Sequence, residues 1–186
     1  MSSPDRRRGL AAALLTLVLV AAGCGSSSGT SPGSGGGSAA VSNAGALPAI
    51  TVRSLADGTE VALASLATGP LVVNLWAPWC PPCRNEMPDF QKVAAAHPGA
   101  VTIVGLATGT EEQAAKDYGA KLGVTYPLYY DIDDAALEAL GVAGLPATLF
   151  VDAHGTIVGT HAGAMSAADL EAAITKNLGV APVSGG

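Results

Sequence analysis

The sequence predicts an α/β sandwich, a mixed central sheet flanked by helices. Three observations carry that expectation. In "ITVRSLADGTEVALASL" the pair Asp57-Gly58 separates two extended, alternating runs, which is the strongest short-range hairpin signal. Two continuous apolar runs, "PLVVNLWA" and "VTIVGLAT", are rich in β-branched residues and read as buried central strands, each followed by a helical pattern. Near the end, "ATLFVDAHGTIVGTHAG" gives two strands around a His154-Gly155 turn, and a last helix follows. A hairpin, then βαβ units, then an antiparallel pair and a helix make a mixed sheet with helices packed on it.

The individual elements follow in order. From Cys83 to about His97, "CRNEMPDFQKVAAAH" places Met87, Phe90 and Val93 or Ala94 at helical spacing, with Pro88 inside the helix and expected to kink it. A second helix spans "TEEQAAKDYGAKLG", with Thr110 as its predicted N-cap and Gly123 as its stop. "YPLYYDID" reads as a strand and "DDAALEALG" as a short helix. The last helix is expected from about Ser166 to Asn177, with Ser166 capping and Asp169 completing a capping box. His97, His154 and His161 are expected in loops or on the surface.

The ends of the chain set the compartment. Arg6, Arg7 and Arg8 precede an apolar run from Leu10 to Ala22 that ends in small residues, so residues 1–23 read as a secretory signal peptide. That run is shorter than the roughly 20 apolar residues a bilayer span needs. Cys24 follows "VAAG", and this resembles the lipobox of bacterial lipoproteins, with Ala21 where that family more often has Leu. The resemblance makes Cys24 the lipid attachment site, with no redox role. Residues 24–44 are rich in Gly and Ser, lack apolar periodicity and read as a flexible tether of about 25 Å. Residues 45–180 are expected to form one domain and 181–186 a disordered tail. Loss of the signal removes three arginines and one aspartate, so the net charge moves from −6 to −8. An acidic exported domain does not suit nucleic acid or direct docking on anionic lipid.

Chemistry concentrates in "NLWAPWCPPCR". Zinc needs four ligands, and no second Cys/His pair stands at matching spacing. Haem attachment needs His directly after the second cysteine, where this chain has Arg84. A structural disulfide across two residues would constrain the unfolded chain very little. Redox use has a positive reason: Cys80 stands where a buried strand meets a helix N-terminus, which stabilises a thiolate, the attacking species in disulfide exchange. Position therefore makes Cys80 the nucleophile and Cys83, farther into the helix, the resolving thiol. No glycine fingerprint or metal cluster indicates a cofactor beyond the cysteine pair. Pro81 and Pro82 remove two backbone donors from the first helical turn, which keeps the Cys80 pKa from falling as far as in strong oxidants.

"VVNLWAPWCPPCRNEMP" resembles the thioredoxin superfamily, and within it the TlpA/ResA-like, DsbE/CcmG-related thiol–disulfide oxidoreductases tethered to membranes. The similarity runs from about Leu47 to Leu178. It takes in Trp76 and Trp79, the CxxC, Glu86 with Pro88, a strand–helix insertion from about Tyr126 to Gly141, and "GLPATLFVDAHG". It implies a thioredoxin-like fold, a cis bond before Pro146 with that proline against Cys80–Cys83, and a Leu145 backbone offered to a cysteine-containing peptide. Trp79 is expected either to shield the thiolate and contact partners or to cap the core. Thioredoxins proper carry an aspartate where this chain has Asn74, which cannot titrate. Proton transfer then falls to another carboxylate, Glu86, or to water; Glu86 as an ordinary first-turn carboxylate is the plainer alternative. Arg84 is expected to be a solvated surface cation.

The resemblance implies an exported enzyme on the outer face of the plasma membrane that reduces protein disulfides. Haem-attachment cysteines in cytochrome c maturation are candidate substrates, and a membrane thiol reductase is the implied electron donor. Oxidation of newly exported proteins is the alternative. Peroxiredoxins share the fold but place Thr or Ser three residues before their cysteine, where this chain has Ala77. A binding lipoprotein that kept the fold without the chemistry would not need both Cys80 and Cys83.

Overall fold

The computed structural model describes residues 45–182. The signal peptide, Cys24, the tether and residues 183–186 lie outside the described residues. Seven strands form one mixed sheet in the order β2-β1-β5-β4-β3-β6-β7. They are β1 (Thr51–Ser54), β2 (Glu60–Ala62), β3 (Leu71–Trp76), β4 (Thr102–Ala107), β5 (Leu128–Asp131), β6 (Ala147–Val151) and β7 (Ile157–Ala162). β3, β4 and β5 run parallel, while β1 with β2, β1 with β5, β3 with β6 and β6 with β7 are antiparallel. The expected hairpin forms around Gly58, whose φ of 78° suits a residue without Cβ.

Every residue of β3 is buried, because both faces of the sheet are covered. The period of two then sorts its side chains. Leu71, Val73 and Leu75 join Val104, Leu106, Leu149 and Val151 on one side. Val72 and Trp76 join Phe150 and the helices α1 (Pro81–Ala96) and α4 (Ala167–Leu178) on the other. Asn74 shares the parity of Val72 and Trp76, so a polar side chain is delivered into the layer beneath α1.

α1 starts at Pro81, two residues before the predicted Cys83, and runs unbroken past Pro88. Prolines at its first two positions are tolerated because those amides would have no intrahelical partner. Cys83, Glu86, Met87, Phe90 and Val93 form its buried stripe at intervals of three and four. Each large apolar side chain so buried contributes about 1.5–3 kcal/mol, far more than helix propensity could.

His97 corrects an expectation. Four residues beyond Val93 it continues the same stripe, so it is buried at the C-cap of α1, with its Nε2 2.7 Å from Glu171 Oε2 on α4. His154 is exposed and His161 half-buried. Thr110 does not cap α2 (Glu112–Leu122). Glu111 occupies that position without a side-chain bond, because the preceding loop is held by other partners described below. Gly123 ends α2 in the left-handed conformation as predicted. The short helix is a single turn, α3 (Ala136–Ala139). Ser166 and Asp169 form both bonds of the capping box on α4.

Candidate active site

β3 ends at Trp76, and Ala77 to Trp79 lead directly into α1. Cys80 is its N-cap and is joined to Cys83 by a disulfide. Cys80 Sγ accepts the Cys83 N–H at 3.3 Å, the first amide in the helix that the two prolines leave able to donate. Arg84 N–H bonds the Cys80 carbonyl at 3.2 Å and fixes the turn. Both cysteines are buried, whereas Pro81 and Pro82 are exposed and Trp79 is 61% exposed. Trp79 is therefore no core cap: its indole stands at the surface next to the pair, with Nε1–H donating to the Gly109 carbonyl at 2.7 Å.

Leu145–Pro146 is cis. Register places it at the same end of the sheet as the cysteines, since Leu75 pairs with Ala147 and the next residues along are Trp76 and Pro146. Pro146 is buried, and Leu145 packs against the apolar layer that contains both cysteines.

Glu86 is not a first-turn carboxylate. It sits in the second turn of α1, one turn beyond Cys83 on the buried stripe, and is 2% exposed. Its Oε1 accepts from Asn74 Nδ2 at 2.8 Å and its Oε2 from the Met165 N–H at 2.9 Å. Burial pushes its pKa up to about 7, with the two hydrogen bonds opposing the rise. Asn74 pairs across the sheet with Gly105 on one side and Thr148 on the other. Gly105 leaves the room this row needs: a Cβ there would lie 3.1 Å from Trp76 Nε1 and 2.6 Å from Leu128 Cδ2. Asn74 Oδ1 is buried without a partner, as is the Tyr126 hydroxyl. Arg84, expected to be free in solvent, is half-buried with its guanidinium 5.6 Å from the centre of the Tyr118 ring, a face that attracts a planar cation.

Among the described residues no group of His, Cys, Asp and Glu is placed to hold a metal ion, and no helix is long and apolar enough to cross a membrane. The Met165 amide on Glu86 and the Gly109 carbonyl on Trp79 have no signal in the sequence. Both are backbone groups brought in from distant loops, which residue type does not announce.

The redoxin family model matches residues 42–181. The thiol-disulfide oxidoreductase ResA of Halalkalibacterium halodurans is 28% identical over 111 residues, which cover 59% of this chain and 63% of that protein. The soluble secreted antigen MPT53 of Mycobacterium tuberculosis is 39% identical over 93 residues, covering 50% and 53%. The chain thus aligns with less than two thirds of each of these relatives. The crystal structure of a secreted Mycobacterium tuberculosis disulfide oxidoreductase, described as homologous to E. coli DsbE, superposes with a TM-score of 0.61 at 33% identity, covering 69% of this chain and 96% of that one. The chain belongs to the redoxin family, with a thioredoxin-like fold and the ResA- and DsbE-type thiol–disulfide oxidoreductases as its relatives.

Proposed function

We propose that this chain is an exported thiol–disulfide oxidoreductase that reduces disulfides of protein substrates through Cys80 and Cys83. The observation that carries the reading is the cysteine pair itself, a disulfide closed across the N-terminus of α1 where the central strand ends. Helix N-termini favour a thiolate, and in the reduced enzyme the Cys80 thiolate attacks one sulfur of the substrate disulfide. A mixed disulfide forms, and the released substrate thiolate takes a proton. Glu86, with a proton affinity near neutrality and one turn from Cys83, accepts the Cys83 proton. The Cys83 thiolate then attacks Cys80 Sγ, the mixed disulfide breaks, and the second substrate thiolate leaves and is protonated. Two electrons pass to the substrate and the enzyme is left with the Cys80–Cys83 disulfide.

Asn74 suits a carboxyl that must exist in two states. The carboxylate accepts from Nδ2, and a neutral carboxyl donates to Oδ1 once the amide turns over. Trp79 and the Leu145–Pro146 segment supply the surface that receives the substrate, Leu145 through its backbone. The reduction direction is supported by Pro81 and Pro82, which thin the donors around Cys80 and so leave the disulfide less readily reduced. The order of signal, Cys24 and tether supports a lipid-anchored site outside the plasma membrane, and the likeness to secreted relatives supports export. A membrane thiol reductase would resupply the electrons, and haem-attachment cysteines of cytochromes c are the proposed substrates.

The test is to mix the reduced Cys83→Ser protein with a peptide closed by a Cys-Xaa-Xaa-Cys disulfide, quench and alkylate the peptide thiol that the attack frees and that would otherwise displace Cys80 again, and map the adduct by mass spectrometry. The reading expects a trapped mixed disulfide on Cys80 and none with Cys80→Ser. An adduct on Cys83 in the latter, or none in the former, would overturn it.

A further inference from the structure

Trp79 is anchored by a short relay of hydrogen bonds that begins in the strand–helix insertion. Its indole N–H donates to the Gly109 carbonyl at 2.7 Å, and the Gly109 N–H donates to Asp134 Oδ1 at 2.6 Å. Gly109 has φ 62°, and a Cβ there would lie 3.6 Å from Trp79 Cζ2, so the loop after β4 runs close along the indole. The residue before it is held from the same insertion: Thr108 Oγ1 donates to Asp131 Oδ2 at 2.8 Å. Buried Asp131 also accepts the amides of Ala135 and Ala136 at 3.3 and 2.9 Å, which closes the turn from β5 into α3. Asp134 lies in that turn.

The backbone at Asp134 is unusual. With φ 53° it is, among the described residues, the one non-glycine residue in the left-handed region. Aspartate tolerates that region better than most residues, yet glycine would adopt it without steric cost. Beyond tolerating that conformation, the Asp134 side chain makes a bond that glycine could not, to the Gly109 amide. The carboxylate is exposed and bonds the Gly109 amide rather than either cysteine, so its effect on the site must pass through Gly109 and Trp79.

We propose that Asp134 is a positioning residue: by fixing the Gly109 loop it holds the exposed Trp79 indole beside the Cys80–Cys83 pair, so that the insertion sets how the site engages a protein substrate. This rests on the exchange activity proposed above and adds a determinant of substrate engagement to it. Two substitutions separate the acceptor from the backbone. Asp134→Gly keeps the left-handed conformation and removes the acceptor. Asp134→Asn keeps an Oδ1 acceptor and tolerates the conformation.

The experiment compares wild type, Asp134→Gly and Asp134→Asn as full chains. Hydrogen exchange of the Trp79 indole N–H is followed by NMR, with the signal assigned by Trp79→Phe, and the bimolecular rate of the reduced proteins is measured with the oxidised Cys-Xaa-Xaa-Cys peptide. Asp134→Gly is expected to shift the Trp79 indole signal, speed its exchange at least fivefold and slow the peptide reaction about fivefold. Asp134→Asn is expected to stay within twofold of wild type in both, and the reduction potential should be the same in all three. An unmoved indole, a moved indole with an unchanged rate, or an Asp134→Asn protein as impaired as Asp134→Gly would each overturn the proposal. Should Asp134→Gly not fold, Asp134→Ala, which lacks the acceptor and also bears the cost of a Cβ at φ 53°, is read on the indole exchange, and an unmoved indole there overturns the proposal. If wild type reacted with no disulfide, the functional reading would fail while the indole signal still reported on the anchoring.

Discussion

Replacing Glu86 by glutamine probes the buried carboxyl proposed to take the Cys83 proton, and the structure sets the size of the effect on stability. Burial raises the Glu86 pKa from 4.5 to about 7 against the opposing bonds from Asn74 and Met165. A carboxyl with a higher pKa folded than unfolded binds more protons in the folded state between those two values. Folding stability is therefore undiminished below about pH 4.5, falls as pH rises toward 7, and is level above. At about 1.4 kcal/mol for each tenfold change in proton affinity, the loss amounts to roughly 3 kcal/mol.

The substituted glutamine would not titrate, and seating it turns the Asn74 amide over, which takes Asn74 Nδ2 away from the acceptor it has at Glu86 Oε1. Its carbonyl oxygen accepts the Met165 N–H, and its amide donates to Asn74 Oδ1, which has no partner in the native arrangement. The lost Asn74 bond is a constant cost at every pH, so between pH 4 and pH 8 the stability difference from wild type should shift by about 3 kcal/mol in favour of Glu86→Gln. Urea unfolding of the oxidised proteins measures this, because disulfide-bonded cysteines do not titrate and the difference between the two curves isolates Glu86. A difference that stays flat from pH 4 to 8 would refute the reasoning. The same variant should resolve mixed disulfides about 10²-fold more slowly, the loss expected of a positioned proton acceptor.

Other expectations rest on single contacts. Gly105→Ala would set a Cβ 2.6 Å from Leu128 Cδ2 and 3.1 Å from Trp76 Nε1, so it should destabilise by about 1–3 kcal/mol in denaturant titrations and alter the near-UV signal of Trp76. Ser166→Ala removes the side-chain acceptor of the α4 capping box and should cost about 1 kcal/mol, read from the same unfolding curves. With Pro81 and Pro82 withholding two donors, thiolate absorbance in the reduced protein should place the Cys80 pKa above about 5; a lower value would contradict that account.

Much of this fold was legible because period and punctuation agreed. Asp57-Gly58 marked a hairpin, the apolar runs marked β3 and β4, and Gly123 and Ser166 marked helix ends. The resemblance pointed to the cis bond at Pro146. The plainer reading of Glu86, as a first-turn carboxylate, and the surface reading of His97 fail for one cause. The stripe of Met87, Phe90 and Val93 extends backward by four to Cys83 and from Phe90 to Glu86, and forward by four to His97. Charged and polar residue types hid positions that the same spacing would have assigned to the interior. Thr110 failed as a cap for another reason, since the loop before α2 is arranged through Gly109 by Asp134 and Trp79, partners 25 and 30 residues away in the chain. Long-range backbone acceptors of this kind have no local signature.

The reduction potential of the Cys80–Cys83 pair, equilibrated against defined thiol buffers, tests the central claim most directly. The account predicts a value near that of thioredoxin, about −270 mV, at which the protein must be supplied with electrons and donates them to substrates. A value near about −120 mV would contradict it, making the protein an oxidant that installs disulfides.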